Sequence, residues 1–167
     1  MTRMSSAPFK IGHGYDLHRL QPGGRLMLGG ILVSEQISPV AHSDGDVVLH
    51  AVVDALLGAM AWGDIGEHFP NDDPKWKNAA SRVFVDEVYR KVIAAGFSVQ
   101  NLDITILAER PKLKTFKPAM VKSMAQMLDV AENKINVKAG TNEGCDAIGR
   151  GEAIAAHAVI LLGLRNA

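Results

Sequence analysis

Asp16 and His18 carry the strongest chemical signal in the chain, at the end of the run Ile11-Gly12-His13-Gly14-Tyr15-Asp16-Leu17-His18. Side chains of a strand alternate between its two faces, so Asp16 and His18 point the same way, about 7 Å apart along the backbone. A carboxylate and an imidazole placed in this way can bind one divalent metal ion. Gly12 and Gly14 lie on the same face of the strand, and their lack of side chains predicts room for a ligand to approach.

Two histidines of the next segment, His42 and His50, could supply a third metal ligand. His50 lies on a predicted helix from Val47 to Met60 whose apolar residues cover nearly its whole circumference, and ionisable groups on a buried helix need a partner or a metal. Two His and one Asp with an open fourth position are typical of a catalytic zinc site, whereas closed structural sites use several Cys. The residues alone also fit an Asp-x-His strand without metal and a core histidine with ordinary partners.

Two N-terminal segments could bind an anion or a polyol. Ser43, Asp44 and Asp46 supply N-cap chemistry for the predicted helix. Ala41 to Asp46 also places His42 and Ser43 at the start of that helix, where backbone N–H groups favour anions, although Ser43 and Asp44 could equally serve only as caps. The segment 63–77 is rich in Gly, Pro, Asp and Asn and predicts a long functional loop. Its carboxylates could bind a polyol, and a solvated acidic turn explains the same residues.

Two segments that follow predicted strands offer groups for phosphates. Lys112, in the segment Glu109 to Leu113, can meet a phosphate oxygen. Thr141 and Glu143 place a hydroxyl and a carboxylate two residues apart, which suits a phosphate oxygen and a hard cation such as Mg²⁺. A strand end followed by a polar turn remains the alternative for both segments.

The composition bounds the class of protein. A chain of 167 residues fits one domain over 1–167, and we expect residues 1–8 to be a flexible N-terminus. The 18 basic residues balance 18 acidic ones, so no global basic field favours a nucleic-acid partner. The lone Cys145 and the absence of a signal-peptide core predict a cytoplasmic protein. No apolar run approaches the ~20 residues that span a bilayer, so we expect no membrane partner.

Strands and helices alternate without strict βαβ regularity, which predicts an α+β fold. Gly23-Gly24 predicts a turn, Gly29-Gly30 predicts a kink or bulge, and 154–162 is ambiguous between strand and helix. The remaining predicted strands are 9–18, 25–33, 102–108 and 135–139, and the predicted helices are 47–60, 81–95 and 117–128.

Together and in this order, these motifs closely resemble the 2-C-methyl-D-erythritol 2,4-cyclodiphosphate synthase family. The resemblance covers about residues 10 to 162 and rests on Gly12 to His18, Ala41 to Asp46, Leu49-His50, Asp54 to Ala59, Gly63 to Gly66, Phe69-Pro70, Ser81-Arg82, Pro111-Lys112, Asn136 to Ala139 and Gly149 to Glu152. It implies an α+β single-domain subunit with helices on one face of a mixed β-sheet, and sheets packed around the axis of a homotrimer. It also favours a strand at 154–162.

The resemblance further implies a zinc site, and it chooses His50 over His42, with Asp16 and His18 as the other ligands. It implies catalytic roles for Thr141, His42 and Lys112. The methylerythritol phosphate end of the substrate would be bound by His42, Ser43, Asp64, Ile65, Gly66, Phe69, Asn71 and Asp73. The cytidine would contact Ala108, Pro111, Lys112 and Leu113 of the neighbouring subunit. The phosphates, with Mg²⁺ or Mn²⁺, would be bound by Thr141, Asn142, Glu143 and Arg150.

The implied reaction converts 4-diphosphocytidyl-2-C-methyl-D-erythritol 2-phosphate to the 2,4-cyclodiphosphate and CMP, a step of non-mevalonate isoprenoid synthesis. The chain departs from the family at Asn71, where an Asp is common, at Ala80, where an Asp is also common, and at Ala147, where an aromatic usually lines the axial cavity of the trimer. Ala147 puts isoprenoid binding in that cavity in question. Two other functions stay open: a zinc-dependent phosphoester hydrolase, and a non-enzymatic trimeric nucleotide-binding module.

Overall fold

The computed structural model describes residues 8–165. Its strands are β1 (Phe9–Pro22), β2 (Leu26–Leu28), β3 (Ile31–Ser34), β4 (Ile37–Pro39), β5 (Phe97–Leu107), β6 (Ile135–Gly140) and β7 (Ala153–Leu164). Its helices are α1 (Val47–Met60), α2 (Ile65–His68), α3 (Arg82–Ala94), α4 (Lys117–Met127) and α5 (Asp146–Gly149), with single 3₁₀ turns at Pro74–Trp76 and Glu132–Lys134. No helix among the described residues is long and apolar enough to cross a bilayer.

The main sheet has the order β4-β1-β7-β5-β6, and a separate two-stranded hairpin joins β2 to β3. β7 pairs antiparallel with both β1 and β5, whereas β5 and β6 are parallel, so the sheet is mixed. Apolar side chains of alternate residues on β5 and β7, such as Ile104, Ile106, Ala158 and Ile160, are fully buried on one face. The fold is therefore α+β, as the sequence predicts.

Helix α1 lies against β1 and β7 on that buried face. Its residues from Val47 to Leu57 are buried apart from His50 and Asp54, which confirms the prediction of a helix buried nearly all round. The expectation for Gly12 and Gly14 is wrong, because a Cβ there would overlap the carbonyl oxygens of Ala55 and Ala51 in the helix. The missing side chains allow the backbone of α1 to pack directly against β1, so the space is filled by the helix and not by a ligand.

The two faces of the sheet differ in what covers them. The long helices α1, α3 and α4 share one hydrophobic core with the inner face. The one-turn helix α5 departs from the expected one-sided arrangement, because its Ile148 packs with Ala153 and Ala155, which point to the other face. That outer face exposes large apolar side chains on β1 and β7, namely Phe9, Ile11, Tyr15, Leu17 and Val159.

Most predicted elements lie where expected, and two differ. The strand predicted at 25–33 is two short strands, because Gly29 and Gly30 both adopt positive φ and turn the chain instead of bending one strand. The loop predicted at 63–77 contains α2 and a 3₁₀ turn. Residues 154–162, ambiguous from the residues alone, belong to strand β7, which confirms the strand favoured by the resemblance. The flexible N-terminus predicted for 1–8 lies, except for Pro8, outside the described residues.

Candidate active site

Asp16, His18 and His50 converge at one point between β1 and α1. His18 Nε2 lies 2.9 Å from Asp16 Oδ2, His50 Nδ1 lies 3.0 Å from the same oxygen, and the two ring nitrogens are 3.2 Å apart. The strand supplies two of the three groups, since residues two apart point to one face, and the first turn of α1 supplies the third. His42 does not join this group, and its Nε2 lies 3.4 Å from the backbone oxygen of Asp73.

These three atoms fit the ligand set of a zinc ion. Zn–N and Zn–O bonds of about 2.0 to 2.1 Å in a tetrahedron place neighbouring ligand atoms about 3.3 Å apart. The three observed separations, 2.9 to 3.2 Å, are close to that edge length. Among the described residues, these are the His, Cys, Asp and Glu side chains that form a group of at least three able to hold a metal. Two nitrogens and one oxygen could therefore hold one divalent metal ion, one donor fewer than the four protein ligands of a closed structural zinc site.

The Asp16 carboxylate is kept ionised by its neighbours. Burial by itself raises its pKa, but hydrogen bonds and charges from His18 and His50 outweigh burial and hold the pKa well below its usual range. The exposed fractions of the three side chains are 24% for Asp16, 16% for His18 and 12% for His50. A largely buried anion held between two imidazoles is prepared to bind a cation.

The metal-binding group forms one wall of a cavity of about 510 Å³. Six of the residues predicted to contact substrate line this cavity: His42, Ser43, Ile65, Gly66, Phe69 and Asn71. Its apolar wall also includes Phe84, whose ring centre lies 4.5 Å from that of Phe69 and 6.0 Å from that of His50. The cavity is wide enough for a small phosphorylated polyol beside the metal position.

Asp64 and Asp73, also predicted to contact substrate, do not line this cavity. Asp64 accepts a hydrogen bond from Glu67 N at 3.0 Å and caps α2, and Asp73 accepts one from Lys75 N at 2.9 Å and caps the following 3₁₀ turn. Asp54 anchors the same segment, because its carboxylate accepts a hydrogen bond from Ile65 N at 2.8 Å. In the isolated chain, these carboxylates hold the shape of the loop.

The start of α1 shows which of the three N-cap candidates caps the helix. Asp46 is the N-cap, and its fully buried carboxylate accepts hydrogen bonds from Val48 N and Leu49 N, and from Gly29 N and Gly30 N in the β2–β3 turn. The first amide groups of the helix are thus occupied by Asp46. An anion beside Ser43 would meet side chains and loop backbone rather than these amides.

A second cavity, of about 330 Å³, lies at the ends of β5 and β6. It is lined by Ala108, Pro111, Lys112, Leu113, Lys114, Lys117, Ala139, Gly140 and Thr141, which include all four residues predicted for the cytidine. Asn142, Glu143 and Arg150 do not line it. Thr141 Oγ1 donates to Glu143 Oε1 at 3.2 Å, Asn142 donates to Asp146 at 2.9 Å, and Arg150 pairs with Glu152 at 3.0 Å on the surface.

The two cavities share no lining residue, yet they lie at the same end of the sheet. Asp16 pairs with Ala156, and Ala156 pairs on its other side with Ile106. Ile106 in turn pairs with Ala139. Asp16 and Ala139 are therefore level across the sheet and three strand spacings apart, or about 14 Å.

The structure also places residues at the first cavity that were not predicted there. Behind the cavity lining, Ser81 Oγ contacts the outer nitrogen of His50, and the same hydroxyl donates a hydrogen bond to Asp44. Val40, Ala41, Trp76 and Phe84 complete the lining. A serine before a helix signals an N-cap in the sequence, so nothing in its spacing indicates that the side chain of Ser81 faces His50.

Known proteins are similar to this chain over most of its length. The sequence model of the YgbB family matches residues 9–163. A relative in Chromohalobacter salexigens, named 2-C-methyl-D-erythritol 2,4-cyclodiphosphate synthase, is 50% identical over 153 residues, which cover 92% of this chain and 94% of the relative. A relative of the same name in Arabidopsis thaliana, described as chloroplastic, is 49% identical over 93% of this chain and 67% of its own length.

Solved structures agree with the sequence relatives. The bifunctional IspDF of Campylobacter jejuni superposes with a TM-score of 0.92 at 42% identity, covering 96% of this chain and 44% of that one. IspF of Plasmodium falciparum, solved as a CDP complex, superposes with a TM-score of 0.85 at 32% identity, covering 97% of this chain and all of the other. The chain thus spans less than half of one match and the whole of the other.

Proposed function

The chain belongs to the YgbB family, that of the 2-C-methyl-D-erythritol 2,4-cyclodiphosphate synthases, and from this premise we propose how its residues carry out the reaction. Its function is that of a lyase of non-mevalonate isoprenoid biosynthesis, with a cytidine-linked small molecule as ligand. The observation that carries the proposed mechanism is the convergence of Asp16, His18 and His50 on one point at the wall of a cavity. We assign these three side chains as zinc ligands.

The proposed reaction is an intramolecular phosphoryl transfer. The 2-phosphate oxygen of 4-diphosphocytidyl-2-C-methyl-D-erythritol 2-phosphate forms a bond to the β-phosphorus, the bond between that phosphorus and the bridging oxygen breaks, and CMP leaves with the electron pair. The attacking oxygen is already anionic at neutral pH, so no residue has to act as a general base. When bound, zinc supplies positive charge for a phosphate oxygen at the open fourth position.

His42 and Ser43 are proposed to hold the methylerythritol phosphate end, because both line the cavity beside the metal-binding group. Ile65, Gly66 and the apolar Phe69 line the same cavity, and we propose that they contact this end of the substrate as well. Asp64, Asn71 and Asp73 are proposed as contacts of the polyol hydroxyls. Asp64 and Asp73 would then need to turn from their capping hydrogen bonds or to share them with the substrate.

The second cavity is proposed to bind the cytidine. Ala108, Pro111 and Leu113 offer backbone and apolar contacts to a flat base, and exposed Lys112 supplies a cation for the phosphates. Thr141, Asn142 and Glu143 are proposed to position the diphosphate and an Mg²⁺ or Mn²⁺ ion, and Arg150 is proposed as a further phosphate contact. Holding both ends of one molecule lowers the entropic barrier to ring closure, and this alignment is the main catalytic task of Thr141, His42 and Lys112.

We further propose that the chain works as a homotrimer whose active sites combine the first cavity of one subunit with the second cavity of its neighbour. Two facts support this assembly: the cavities of one chain share no residue, and the outer sheet face exposes Phe9, Ile11, Tyr15 and Leu17. Apolar patches of this kind mark protein interfaces. Light scattering coupled to gel filtration tests the assembly, and a monomeric mass in active protein would exclude it.

Zinc analysis combined with ³¹P NMR of the products tests the mechanism. We expect about one zinc per chain, and conversion of the diphosphocytidyl substrate into cyclic diphosphate and CMP. A linear product alone would favour the phosphoester hydrolase, and cytidine nucleotide binding without turnover would favour the binding module. Cytoplasmic location remains a prediction from the sequence.

A further inference from the structure

The outer nitrogen of His50 has partners of its own. While Nδ1 faces Asp16 and His18, Nε2 lies 2.9 Å from Ser81 Oγ and 3.2 Å from Ser43 Oγ. The hydroxyl of Ser81 also donates a hydrogen bond to Asp44 Oδ1. A continuous series of contacts therefore runs from the proposed metal position through His50 and Ser81 to the carboxylate of Asp44.

The proton positions along this series follow from elementary chemistry. A neutral imidazole that binds a metal through Nδ1 carries its proton on Nε2, so Nε2 must donate. Ser81 Oγ is the nearer acceptor, and after accepting it can donate its own proton to Asp44. Each group then has one role, and the carboxylate at the end stabilises the positive charge that a metal draws onto His50.

The fold holds this arrangement in place. Ser81 is completely buried, and although it precedes α3 its hydroxyl makes no capping hydrogen bond to that helix. Serine is a preferred N-cap residue, but the hydroxyl of Ser81 contacts His50 and Asp44 instead of capping its own helix. Asp44 is fixed by hydrogen bonds from Ser81 N at 3.1 Å and Asp46 N at 3.2 Å.

Ser43 makes the weaker contact with the same nitrogen. Its hydroxyl lies farther from His50 Nε2, accepts a hydrogen bond from Gly45 N at 3.2 Å, and lines the cavity where substrate would bind. Ser81, in contrast, does not line that cavity. The two hydroxyls thus divide between a contact that faces the ligand and one that faces the protein interior.

We propose that Ser81 and Asp44 are positioning residues that fix the ring orientation and proton of His50 and so raise the affinity of the site for zinc. This inference rests on the proposed zinc site. It assigns no contact with substrate to either residue, and it predicts that their removal weakens metal binding before any substrate is present.

The test measures zinc affinity of the full chain, made metal-free, by competition with a chromophoric chelator. Ser81→Ala and Asp44→Asn are each expected to weaken zinc binding 10-fold to 100-fold, the range typical of partners behind a metal ligand. Ser43→Ala is the matched control, since it removes the other hydroxyl near the same nitrogen, and we expect its zinc affinity to change less than 3-fold. Visible spectra of the Co²⁺-loaded proteins should differ from wild type for Ser81→Ala and not for Ser43→Ala.

Circular dichroism melting of the metal-free variants separates positioning from folding. A purely structural role would lower the melting temperature of Ser81→Ala and leave the zinc affinity of the folded fraction unchanged, which would overturn the inference. If Ser81→Ala does not fold, Asp44→Asn decides, because it retains the shape of the carboxylate. Failure of wild-type protein to bind zinc would instead overturn the proposed metal site, and the inference with it.

Discussion

The two cavities are built in different ways. The first is assembled from the middle of β1 and the first turn of α1, elements whose backbones are in direct contact at Gly12 and Gly14. The second lies at the ends of β5 and β6, with exposed Lys112 and with Thr141, whose hydroxyl donates to Glu143 outside the cavity. The difference teaches that the candidate metal-binding group is already held together by packing within the chain, whereas the second cavity, which we propose binds the nucleotide, presents exposed groups.

The largest expected effect comes from removing the carboxylate of the metal-binding group in the first cavity. Asp16→Ala removes the group that both histidines contact, so we expect loss of bound zinc and a fall in turnover of about 1000-fold, or ~4 kcal/mol. Zinc analysis and the ³¹P NMR assay measure both. Asp86→Ala, on the exposed side of α3, is the control and should retain zinc and activity. Full turnover by zinc-free Asp16→Ala protein would refute the assigned role of the metal.

A glycine-to-alanine substitution in β1 and another in β6 compare how tightly the chain is packed near the two cavities. Gly14→Ala would force a Cβ into the carbonyl oxygen of Ala51, so we expect the free energy of unfolding to fall by about 3 kcal/mol. Gly140→Ala meets no atom within 4 Å and should change stability by less than about 0.5 kcal/mol. Urea unfolding measures both. Equal losses of stability would show that the chain is packed equally tightly at Gly14 and at Gly140.

Lys112 tests whether the second cavity binds the nucleotide. We expect Lys112→Ala to weaken CDP binding about 10-fold, or ~1.4 kcal/mol, through the loss of one charged hydrogen bond. Zinc content should stay as in wild type, because Lys112 lies outside the first cavity. Isothermal titration calorimetry gives the affinity, and Lys122→Ala, an exposed lysine of α4, is the control. Unchanged CDP affinity would indicate that the nucleotide binds outside the second cavity.

The smallest effect concerns Asp103, an exposed carboxylate on the outer face of β5. Hydrogen bonds from Lys138 and Asn136 lower its pKa, so its contribution to stability is present above the unfolded pKa of about 4 and is lost as pH falls through its folded value. Because exposed pairs contribute little, Asp103→Asn should cost less than about 1 kcal/mol at pH 7, with a smaller difference at pH 3. Urea unfolding at the two pH values checks the sign, and a difference that grows toward pH 3 would contradict it.

Several features were predictable because they depend on local spacing. The alternation of a strand placed Asp16 and His18 on one face, and the apolar circumference of 47–60 predicted a buried helix. The chain conformation at Gly29 and Gly30 was harder to predict, since glycine indicates a change of chain direction without showing whether the strand bends or turns back. The capping of α1 by Asp46 was not distinguished from capping by Ser43 or Asp44, because all three are favourable N-cap residues.

The sequence by itself determined the types and spacing of the metal-binding residues, the α+β class and, through its motifs, the family. Residue spacing left His42 and His50 open as the third group, the resemblance chose His50, and the structure brings His50 beside Asp16 and His18. Only the tertiary structure decided that Gly12 and Gly14 receive a helix, and that Ser81 turns to His50 rather than to its own helix. Those decisions depend on contacts between residues tens of positions apart. The packing of α1 and α3 against the sheet creates such contacts, and the secondary-structure propensity of a short segment does not predict them.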